Sequence, residues 1–366
     1  MSERDDTRLV VGCMTGTSID ALDAAMVHVR GRGLGMSCEF VRGVTRDLGP
    51  LAAGLRAMAD QRPMTAGEIA RLSREFALLH ASAIRELLRS EQPALVAVHG
   101  QTVFHEPPAS WQMFNGVVLA HEIGAPVVFD LRGADLAAGG QGAPITPLAD
   151  WVLFRSGQST AIMNLGGFCN VTLLPRDADA LEEQTARVRG FDVCACNQLL
   201  DRIARDHLGC GYDEGGRVAV SGRVIPGDAD ILSISLGKQS VSRRSLGTGD
   251  ELGDWVARRA GMVSGRDLAA TACAAIARTL AGRVGGEERI LIAGGGVRNV
   301  ALVRAIEAAC GVDVEPTDAA GVPIEFREAA EMAVLGALCQ DRVPITLPRV
   351  TGVPAPAPIS GLWAGI

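Results

Sequence analysis

The sequence predicts an α/β protein built from two lobes. Short apolar runs with the length of buried strands alternate with longer runs that have helical spacing. Glycine-rich breaks follow several of the strand-like runs, and such breaks at strand ends favour a ligand cleft. The chain has 366 residues, which is more than a single hydrophobic core usually organises, so two domains are expected.

The composition is that of a globular protein with an acidic balance. Hydrophobic residues make up 48% of the chain and charged residues 21%, and the formal net charge is -7. An acidic chain without a basic run argues against nucleic acid as a partner. The polar start does not have the pattern of a secretory signal, and no apolar run reaches the roughly 18 residues of a membrane span. We therefore expect a cytoplasmic protein that does not enter a membrane and keeps its cysteines reduced.

The first predicted unit is a strand, a polar turn and a second strand. Leu9–Cys13 and Ala24–Val29 are apolar and flank the glycine-containing turn Met14–Ile19. A long helix follows, with Thr65 as its N-cap. One apolar stripe of this helix contains Ile69, Leu72, Phe76, Leu79, Ile84 and Leu87. Two further strands are predicted at Ala94–Val98 and Val127–Phe129.

The glycine-rich run Ala138–Pro144 predicts the boundary between the lobes. We expect residues 1–140 and 345–366 to form an N-terminal lobe with a C-terminal return, and residues 141–344 to form the second lobe. Strands at Ala161–Leu165 and Cys169–Leu174 repeat the opening unit, which indicates a duplicated architecture. The remaining predictions are helices at Asn197–His207, Arg266–Leu280, about Asn299–Ala309 and Glu328–Leu338 (amphipathic), a strand at Arg289–Ala293, and a surface tail at Leu347–Ile366.

Three glycine-bearing turns have the character of phosphate sites, because each offers backbone N–H groups with small or polar side chains. They consist of Gly16, Thr17 and Ser18; of Asn164, Gly166 and Gly167; and of Gly294, Gly295 and Gly296 followed by Asn299. Asp20 and Asp23 are placed to orient the water shell of a metal ion or the hydroxyls of a ligand. Taken alone, the first segment favours an ordinary hairpin turn with Asp and Thr in turn positions, and a glycine-rich strand end like the third is a common feature.

Other polar residues leave strand-like runs and are candidates for contact with a substrate. They are His99, Gln101, Thr102, Arg132, Asp135 and Asn197. A lone histidine is more often a structural residue, and a salt-bridged loop explains Arg132 and Asp135 equally well. Asp192 is a candidate general base, although an acidic residue ahead of a helix also fits a purely electrostatic role. Cys194 and Cys196 lack a second cysteine pair for metal binding, so two reduced thiols filling a loop is the favoured interpretation.

Six motifs, taken together in order and spacing, carry a family resemblance. They are Met14-Thr-Gly-Thr-Ser-Ile-Asp20, His99-Gly-Gln-Thr102, Ala138–Pro144, Asn164-Leu-Gly-Gly167, Gly190-Phe-Asp192 with Asn197, and Gly294-Gly-Gly296 with Asn299. From about Val10 to Leu338, and again at Val350–Gly352, the chain resembles the anhydro-N-acetylmuramic acid kinase family. The resemblance implies a two-lobed acetate kinase/hexokinase/actin-like (ribonuclease H-like) fold with an interlobe active-site cleft.

The resemblance also implies ATP and Mg²⁺ as the cofactors of a sugar kinase. The turns Gly16–Ser18 and Asn164–Gly167 would hold the phosphates, and Gly294–Gly296 would lie against the adenosine. Mg²⁺ would be held mainly through ATP and water, with Asp20 as the candidate protein ligand. A homodimer is implied as well.

The implied reaction couples hydrolysis of an anhydrosugar ring to phosphorylation of the freed hydroxyl. The acceptor would be 1,6-anhydro-N-acetylmuramic acid, giving N-acetylmuramic acid 6-phosphate, or a related anhydrosugar. Asp192 matches the aspartate that takes the proton of the attacking water. Two alternatives stay open: a paralogue acting on a different cyclic metabolite, and a non-kinase ATPase or regulatory protein of the same fold.

The chain departs from the family pattern close to the expected chemistry. Ala21 stands where the family usually has glycine, and Val193–Cys196 replaces a Thr-Gly-Pro-Gly run. Of an expected Lys-Ser-Thr-Gly-Arg segment, Ser240 and Arg243 are retained. We interpret these changes as a reshaped substrate pocket.

Overall fold

The computed structural model describes residues 7–177, 180–241, 250, 252–259, 261–355 and 358–365. These residues divide into two compact units. Unit 1 contains the described residues up to Phe154, those from 180 to Val188 and those from Gly321 onward, and unit 2 contains the described residues in Arg155–Ala178 and Arg189–Ala320. Helices and strands alternate through both units, which confirms the α/β class.

Unit 1 is built on a six-stranded sheet. Its strands are β1 (Thr7–Thr15), β2 (Ala21–Arg30), β3 (Ser37–Asp47), β4 (Leu95–Val98), β7 (Val127–Phe129) and β13 (Leu362–Ala364), with a separate hairpin of β5 (Gln101–Glu106) and β6 (Ala109–Met113). Its helices are α1 (Leu51–Ala59), α2 (Ala66–Leu88), α3 (Gly116–Ile123), α4 (Gly133–Ala137), α5 (Pro147–Phe154), α6 (Leu181–Arg187), α13 (Arg327–Gln340) and α14 (Pro348–Thr351). The sheet order is β13-β7-β4-β1-β2-β3.

Unit 2 is built on a five-stranded sheet. Its strands are β8 (Thr160–Leu165), β9 (Phe168–Leu174), β10 (Arg189–Ala195), β11 (Arg289–Ala293) and β12 (Val314–Pro316). Its helices are α7 (Asn197–Ile203), α8 (Arg217–Val220), α9 (Pro226–Val241), α10 (Gly253–Ala257), α11 (Gly265–Val284) and α12 (Val300–Cys310). The sheet order is β10-β9-β8-β11-β12.

The two sheets share one topology. In each, three consecutive strands pair antiparallel, β1–β2–β3 in unit 1 and β8–β9–β10 in unit 2. The next strand then joins the first one in parallel, and a further strand extends the parallel part. This is the ribonuclease H-like order in duplicate, so the predicted fold class and the predicted duplication are both confirmed.

Helix α13 differs from its prediction as an amphipathic helix. Nearly all of its side chains are buried, because it packs on β1, β2 and β4 and also on α5. Gly12 of β1 permits this close approach, since a Cβ atom there would lie 2.0 Å from the carbonyl oxygen of Ala329. The helix is therefore a central element of unit 1.

The limits of the units differ from the predicted lobe boundaries at 140 and 345. Residues 141–154 and 321–344 both lie in unit 1, since α5 and α13 pack on each other there. The side chains of Arg327 and Asp150 join them through a buried ion pair, with Nη2 2.6 Å from Oδ1. The C-terminal segment was predicted as a surface tail, but its strand β13 pairs with β7 and extends the sheet.

A second correction concerns the residues after Asp192. They were predicted as a loop, but Val193–Ala195 continue strand β10 and are buried against the core of unit 2. Among the helices in the described ranges, none is both long and apolar enough to cross a lipid bilayer.

Candidate active site

The turn between β1 and β2 in unit 1 is held by its own side chains. The Ile19 amide donates a hydrogen bond to the carbonyl oxygen of Gly16 at 3.2 Å. The Ser18 hydroxyl and the Ala21 amide both donate to Oδ1 of Asp20, at 2.7 and 2.9 Å. Thr17, Ser18 and Asp20 are exposed, so the turn presents hydroxyl, amide and carboxylate groups to the solvent.

The alanine at position 21 fits the backbone without strain, because Ala21 opens β2 in an extended conformation. The strained residue of this turn is Ile19, whose φ of 52° is unusual for a β-branched side chain. Arg56 of α1 supports it, donating from Nη2 to the Ile19 carbonyl oxygen at 3.0 Å. The departure from the family glycine therefore leaves the turn intact.

Asp23 lies half-buried on β2 and accepts a hydrogen bond from the Thr45 hydroxyl at 2.6 Å. Burial raises the pKa of Asp23, the Thr45 hydrogen bond opposes the rise, and the carboxylates of Glu328, Asp20 and Glu325 add to it. Negative charge is therefore crowded beside the turn. Within the described residues there is no group of three or more His, Cys, Asp or Glu that could hold a metal ion.

His99 follows β4 and accepts hydrogen bonds from Arg132. Its Nδ1–H donates to the Gly100 carbonyl oxygen at 2.8 Å, and its Nε2 accepts from Arg132 Nε at 3.1 Å and Nη2 at 2.9 Å, which assigns the tautomer. Burial and the Arg132 charge lower the pKa of His99 to about 3. His99 is thus a neutral acceptor, and Arg132 is fixed further by donating from Nη1 to the Gly142 carbonyl oxygen at 2.7 Å.

Gln101 connects this region to the β1–β2 turn. The carboxyl ends of the parallel strands β1 and β4 meet, with the His99 amide 3.0 Å from the Cys13 carbonyl oxygen. The fully buried Gln101 donates from Nε2 to the Gly16 carbonyl oxygen at 3.4 Å, and its Oε1 makes no hydrogen bond. Thr102 accepts at Oγ1 from Gln112 at 3.4 Å.

Asp135 is fully buried and already bonded within the protein. Its Oδ2 accepts from the Gly142 amide and its Oδ1 from the Thr351 hydroxyl, both at 2.7 Å. A Cβ atom at Gly140 would lie 2.2 Å from Asp135 Oδ2. Asp135 therefore shapes the glycine-rich loop and ties it to the C-terminal return.

In unit 2, strand register places the candidate residues in one row. Asp192 of β10 pairs with Asn170 of β9, Asn170 pairs with Asn164 of β8, and Asn164 pairs with Ala293 of β11. Paired residues on neighbouring strands share a face of the sheet. The row ends beside Gly294, so the candidate base, the Asn164 turn and the glycine loop lie along one edge of one sheet.

The glycine loop after β11 needs its glycines. Gly294 has a φ of 82°, and a Cβ atom there would lie 2.7 Å from Asn164 Oδ1. At Gly296 a Cβ atom would lie 2.7 Å from the Leu165 Cβ. The loop therefore lies directly against the β8–β9 turn.

Two asparagines that were predicted as site residues hold the backbone around this edge. Asn197 donates from Nδ2 to the Leu165 carbonyl oxygen at 3.0 Å, which fixes the start of α7 to the β8–β9 turn. Asn299 caps α12, with its Oδ1 accepting from the Leu302 amide at 3.1 Å. The structure thus supports a positioning role for both side chains.

Three buried cysteines lie behind the row, on the apolar side of the sheet. Cys169 pairs with Cys194 across β9 and β10, and Cys196 follows at the end of β10. Burial raises the pKa of the Cys169 thiol well above its usual range, and the neighbouring thiols of Cys194 and Cys196 add to the rise. The Cys169 thiol therefore stays neutral, and the three cysteine side chains fill space in the core, in or next to a strand instead of in the predicted loop.

Sequence reasoning singled out neither Arg56 nor Asn170 as a site residue. Asn170 had a signal, since it is a polar residue between the apolar Cys169 and Val171 next to a glycine turn. Arg56 had none, because it reaches the turn from a helix distant in sequence. Of the retained family segment, the side chain of Ser240 and all of Arg243 lie outside the described residues.

A family model and the relatives found by sequence agree on one family. A family model described as anhydro-N-acetylmuramic acid kinase matches residues 8–363. The anhydro-N-acetylmuramic acid kinase of Bordetella pertussis is 35% identical over 380 residues, covering 97% of this chain and 96% of the relative. That of Salinibacter ruber is 34% identical, covering 98% and 97%. A solved activator of 2-hydroxyisocaproyl-CoA dehydratase from Clostridium difficile, with bound ADPNP, has 13% identity and a TM-score of 0.43 over 90% of this chain and 94% of that one.

Proposed function

The chain belongs to the anhydro-N-acetylmuramic acid kinase family, and on that premise we propose that it opens the ring of 1,6-anhydro-N-acetylmuramic acid with water and phosphorylates the freed 6-hydroxyl with ATP. The observation that carries the proposal is the row in unit 2, which aligns Asp192 with the Asn164 turn and the glycine loop on one sheet edge. A base beside a phosphate-binding turn is the arrangement that this coupled reaction needs.

The chemistry balances as one water addition and one phosphoryl transfer. The water oxygen bonds to the anomeric carbon while the bond from that carbon to the bridging oxygen breaks. Asp192 takes the water proton, and the bridging oxygen takes the γ-phosphoryl group, releasing ADP. Without the transfer, the departing oxygen would carry an unfavourable negative charge.

The three glycine-bearing turns are the proposed ATP contacts. Backbone amides of Gly16–Ser18 and Asn164–Gly167 would bind phosphate oxygens, and Gly294–Gly296 would lie flat against the nucleoside. Crowded carboxylates beside the first turn favour a nearby cation, which fits Mg²⁺ held by ATP and water with Asp20 as the contact from the protein. Bound in this way, Mg²⁺ would offset the phosphate charge during transfer.

On the sugar side, we assign direct contact to Arg132, Gln101 and Thr102. His99 acts through Arg132, because its neutral ring accepts from the guanidinium. Asp135 and Asn197 position loops rather than touch the substrate, since their polar atoms are bonded within the protein. This assignment keeps every predicted residue in the site but gives three of them an indirect role.

Because the reaction consumes ATP, we place the protein in the cytoplasm. The homodimer implied by the family resemblance is also a proposal, and the mass of the protein in solution by sedimentation equilibrium tests it.

The proposal is tested by incubating the protein with ATP, Mg²⁺ and 1,6-anhydro-N-acetylmuramic acid and measuring the masses of the products by mass spectrometry. The expected product is heavier than the substrate by one water and one phosphoryl group. D192N should reduce turnover by at least about 100-fold, because it removes the base, and should bind ATP as the wild type does. D230N is the matched control, since Asp230 makes an exposed ion pair with Arg278.

Three outcomes would contradict the proposal and identify its alternatives. A product heavier by a phosphoryl group alone would mean a kinase that does not open the ring. Free phosphate without a phosphorylated sugar would mean an ATPase. A product from another cyclic metabolite, with none from the muramic sugar, would identify a paralogue.

A further inference from the structure

Helix α9 of unit 2 exposes two isoleucines on one face. Ile231 and Ile234 are 54% and 63% exposed, whereas Leu232 and Leu236, on the opposite face of the helix, are fully buried. Residues three apart on a helix share a face, so the two isoleucines form one exposed apolar patch. The buried leucines show that α9 is already packed on its own unit, and the patch therefore faces away from the core.

Two glycines flank the isoleucines and are not required by packing within the chain. Gly227 lies one turn before Ile231, and Gly237 lies about one turn after Ile234. Apart from the neighbouring helix backbone, a Cβ atom at either glycine would meet no atom of the described residues within 4 Å. Glycine inside a helix is unfavourable relative to alanine, but its bare backbone allows close approach by another element. Close approach by a second helix therefore explains these two residues.

The charges of this face are arranged symmetrically about Ile234. Asp230 lies four residues before it and Lys238 lies four residues after it, and both are exposed. Asp230 makes an exposed ion pair with Arg278 at 2.7 Å, whereas Lys238 has no ion-pair partner within the described part of the chain. One end of the face is therefore acidic and the other is basic.

A second copy of α9, antiparallel to the first, complements both ends at once. With a two-fold axis at Ile234, the rise of 1.5 Å per residue places Asp230 and Lys238 each about 6 Å from the axis along the helix. Asp230 of one chain is then level with Lys238 of the partner subunit, and the symmetry forms this pair twice. The flexible lysine side chain can span two packed helices, whose axes lie about 8–10 Å apart. Ile234 meets its own copy at the axis.

We propose that the exposed face of α9, formed by Gly227, Asp230, Ile231, Ile234 and Lys238, is a dimerisation surface whose partner is the same face of a second copy of this chain. The inference rests on the homodimer in the proposed function and not on the reaction, since none of the residues assigned to ATP or to the sugar lies on α9. The apolar patch is small, so we expect a dissociation constant of about 1–10 µM.

Sedimentation equilibrium of the full chain over a range of concentrations tests the surface. I234E places two carboxylates face to face at the axis, so the dissociation constant should rise at least about 100-fold. V117E is the matched control, because Val117 is also a β-branched residue on a helix and is 70% exposed. It should dimerise as the wild type does.

A charge exchange tests the antiparallel arrangement. K238E places acidic groups at both ends of the face, so the dissociation constant should rise at least about 10-fold. D230K combined with K238E reverses both ends and should return the dissociation constant to within about 3-fold of the wild type. Within one chain the two positions are about 12 Å apart along the helix, so the rescue requires contact between chains.

Lys238 is the one lysine of the sequence, which makes an amine-specific crosslinker a direct test of the geometry. In the proposed dimer the two copies of Lys238 lie about 15 Å apart, within reach of a bis-succinimidyl reagent. A peptide that contains two linked copies of this lysine can come only from two chains. K238R keeps the charge, so it should dimerise as the wild type does and yield no such peptide.

Several outcomes would overturn the inference. Wild-type affinity in I234E, or failure of the charge exchange to restore K238E, would place the interface elsewhere or in another arrangement. A wild type that is monomeric at every concentration would exclude the dimer, and binding of that monomer to phosphatidylglycerol vesicles, lost in I234E, would identify a lipid-binding surface instead. A dimeric wild type that makes no phosphorylated sugar would refute the proposed reaction and support this inference.

Discussion

At the scale of single residues, the protonation state of His99 decides what Arg132 can do. A charged imidazole would repel the guanidinium, but burial and Arg132 itself hold the pKa of His99 at about 3. Arg132 spans two acceptors, His99 Nε2 and the Gly142 carbonyl oxygen. Lysine has a single charged nitrogen on a flexible stem and does not reproduce this fork. We therefore expect R132K to lower kcat/KM for the sugar by about 10–100-fold, measured by the coupled release of ADP.

The control for this substitution is R30K, because Arg30 makes an exposed ion pair with Glu39. It should retain the activity of the wild type. Full activity in R132K would show that charge alone suffices at this position and that His99 does not set the geometry. A raised KM for ATP with an unchanged KM for the sugar would move Arg132 to the nucleotide side.

Individual site residues could be predicted from sequence where they belong to a recognisable motif. The role of each side chain in the folded protein could not be predicted in this way. The motif around His99 identified a polar end of a strand, but its burial depends on the parallel pairing of β1 with β4. Asp135 was predicted from sequence to contact the substrate. Its carboxylate instead accepts hydrogen bonds from Gly142 and from Thr351, which is 216 residues away. Long-range partners of this kind leave no local signal.

At the scale of elements, helix α2 makes the stability of unit 1 dependent on pH through His80. Its Nδ1–H donates to the Phe76 carbonyl oxygen at 2.8 Å, and its buried Nε2 has no partner. Burial lowers the pKa of His80 to about 4, against about 6.5 in an unfolded chain. Between those values the unfolded chain binds a proton that the folded chain excludes, so the free energy of unfolding falls as the pH falls below about 6.5.

This predicts the behaviour of H80L in urea unfolding. Between pH 7 and pH 5 the wild type should lose about 2 kcal/mol more than H80L, since one histidine contributes about 1.4 kcal/mol per pH unit over that window. F76L, which removes a ring packed against His80, should be destabilised but keep the pH dependence of the wild type. An equal pH dependence in H80L and the wild type would mean that His80 is protonated in the folded state.

The elements themselves were predictable where periodicity or a cap was strong. Thr65 was predicted as an N-cap, and the structure shows a full capping box, with the Glu68 amide donating to the Thr65 hydroxyl at 3.3 Å. Strand β10 was missed because its glycine, aspartate and cysteines do not alternate as a half-buried strand would. The bulge at Val193 breaks the same pattern, because the consecutive residues Val193 and Cys194 are both buried in the core of unit 2.

At the scale of the whole molecule, the duplicated topology could be predicted and the route of the chain could not. Two strand–turn–strand segments in the sequence predicted two similar sheets, and the structure confirms them. The glycine-rich run suggested a boundary at 140, but the chain leaves unit 1 after α5. What keeps α5 in unit 1 is its packing against α13, an interaction between segments 177 residues apart that only the folded chain brings together.

That interaction gives a prediction about which charges hold unit 1 together. Arg327 contacts both oxygens of Asp150, at 2.6 and 2.7 Å, and its Nη2 lies 2.8 Å from Glu331 Oε1, all in the core. Burial raises the pKa of Glu331, and the Asp150 carboxylate adds to the rise while Arg327 opposes it. R327M leaves the buried Asp150 carboxylate without its positively charged partner and should lower the free energy of unfolding by about 3–5 kcal/mol.

E331Q should behave differently, because it replaces a group that the core already favours in its neutral form. We expect a cost below about 1 kcal/mol, similar to that of R30M, which removes the exposed pair with Glu39. Urea unfolding at pH 7 measures all three variants on one scale. If E331Q cost as much as R327M, Glu331 would have to be ionised in the folded protein, and the buried cluster would hold two full negative charges against one arginine.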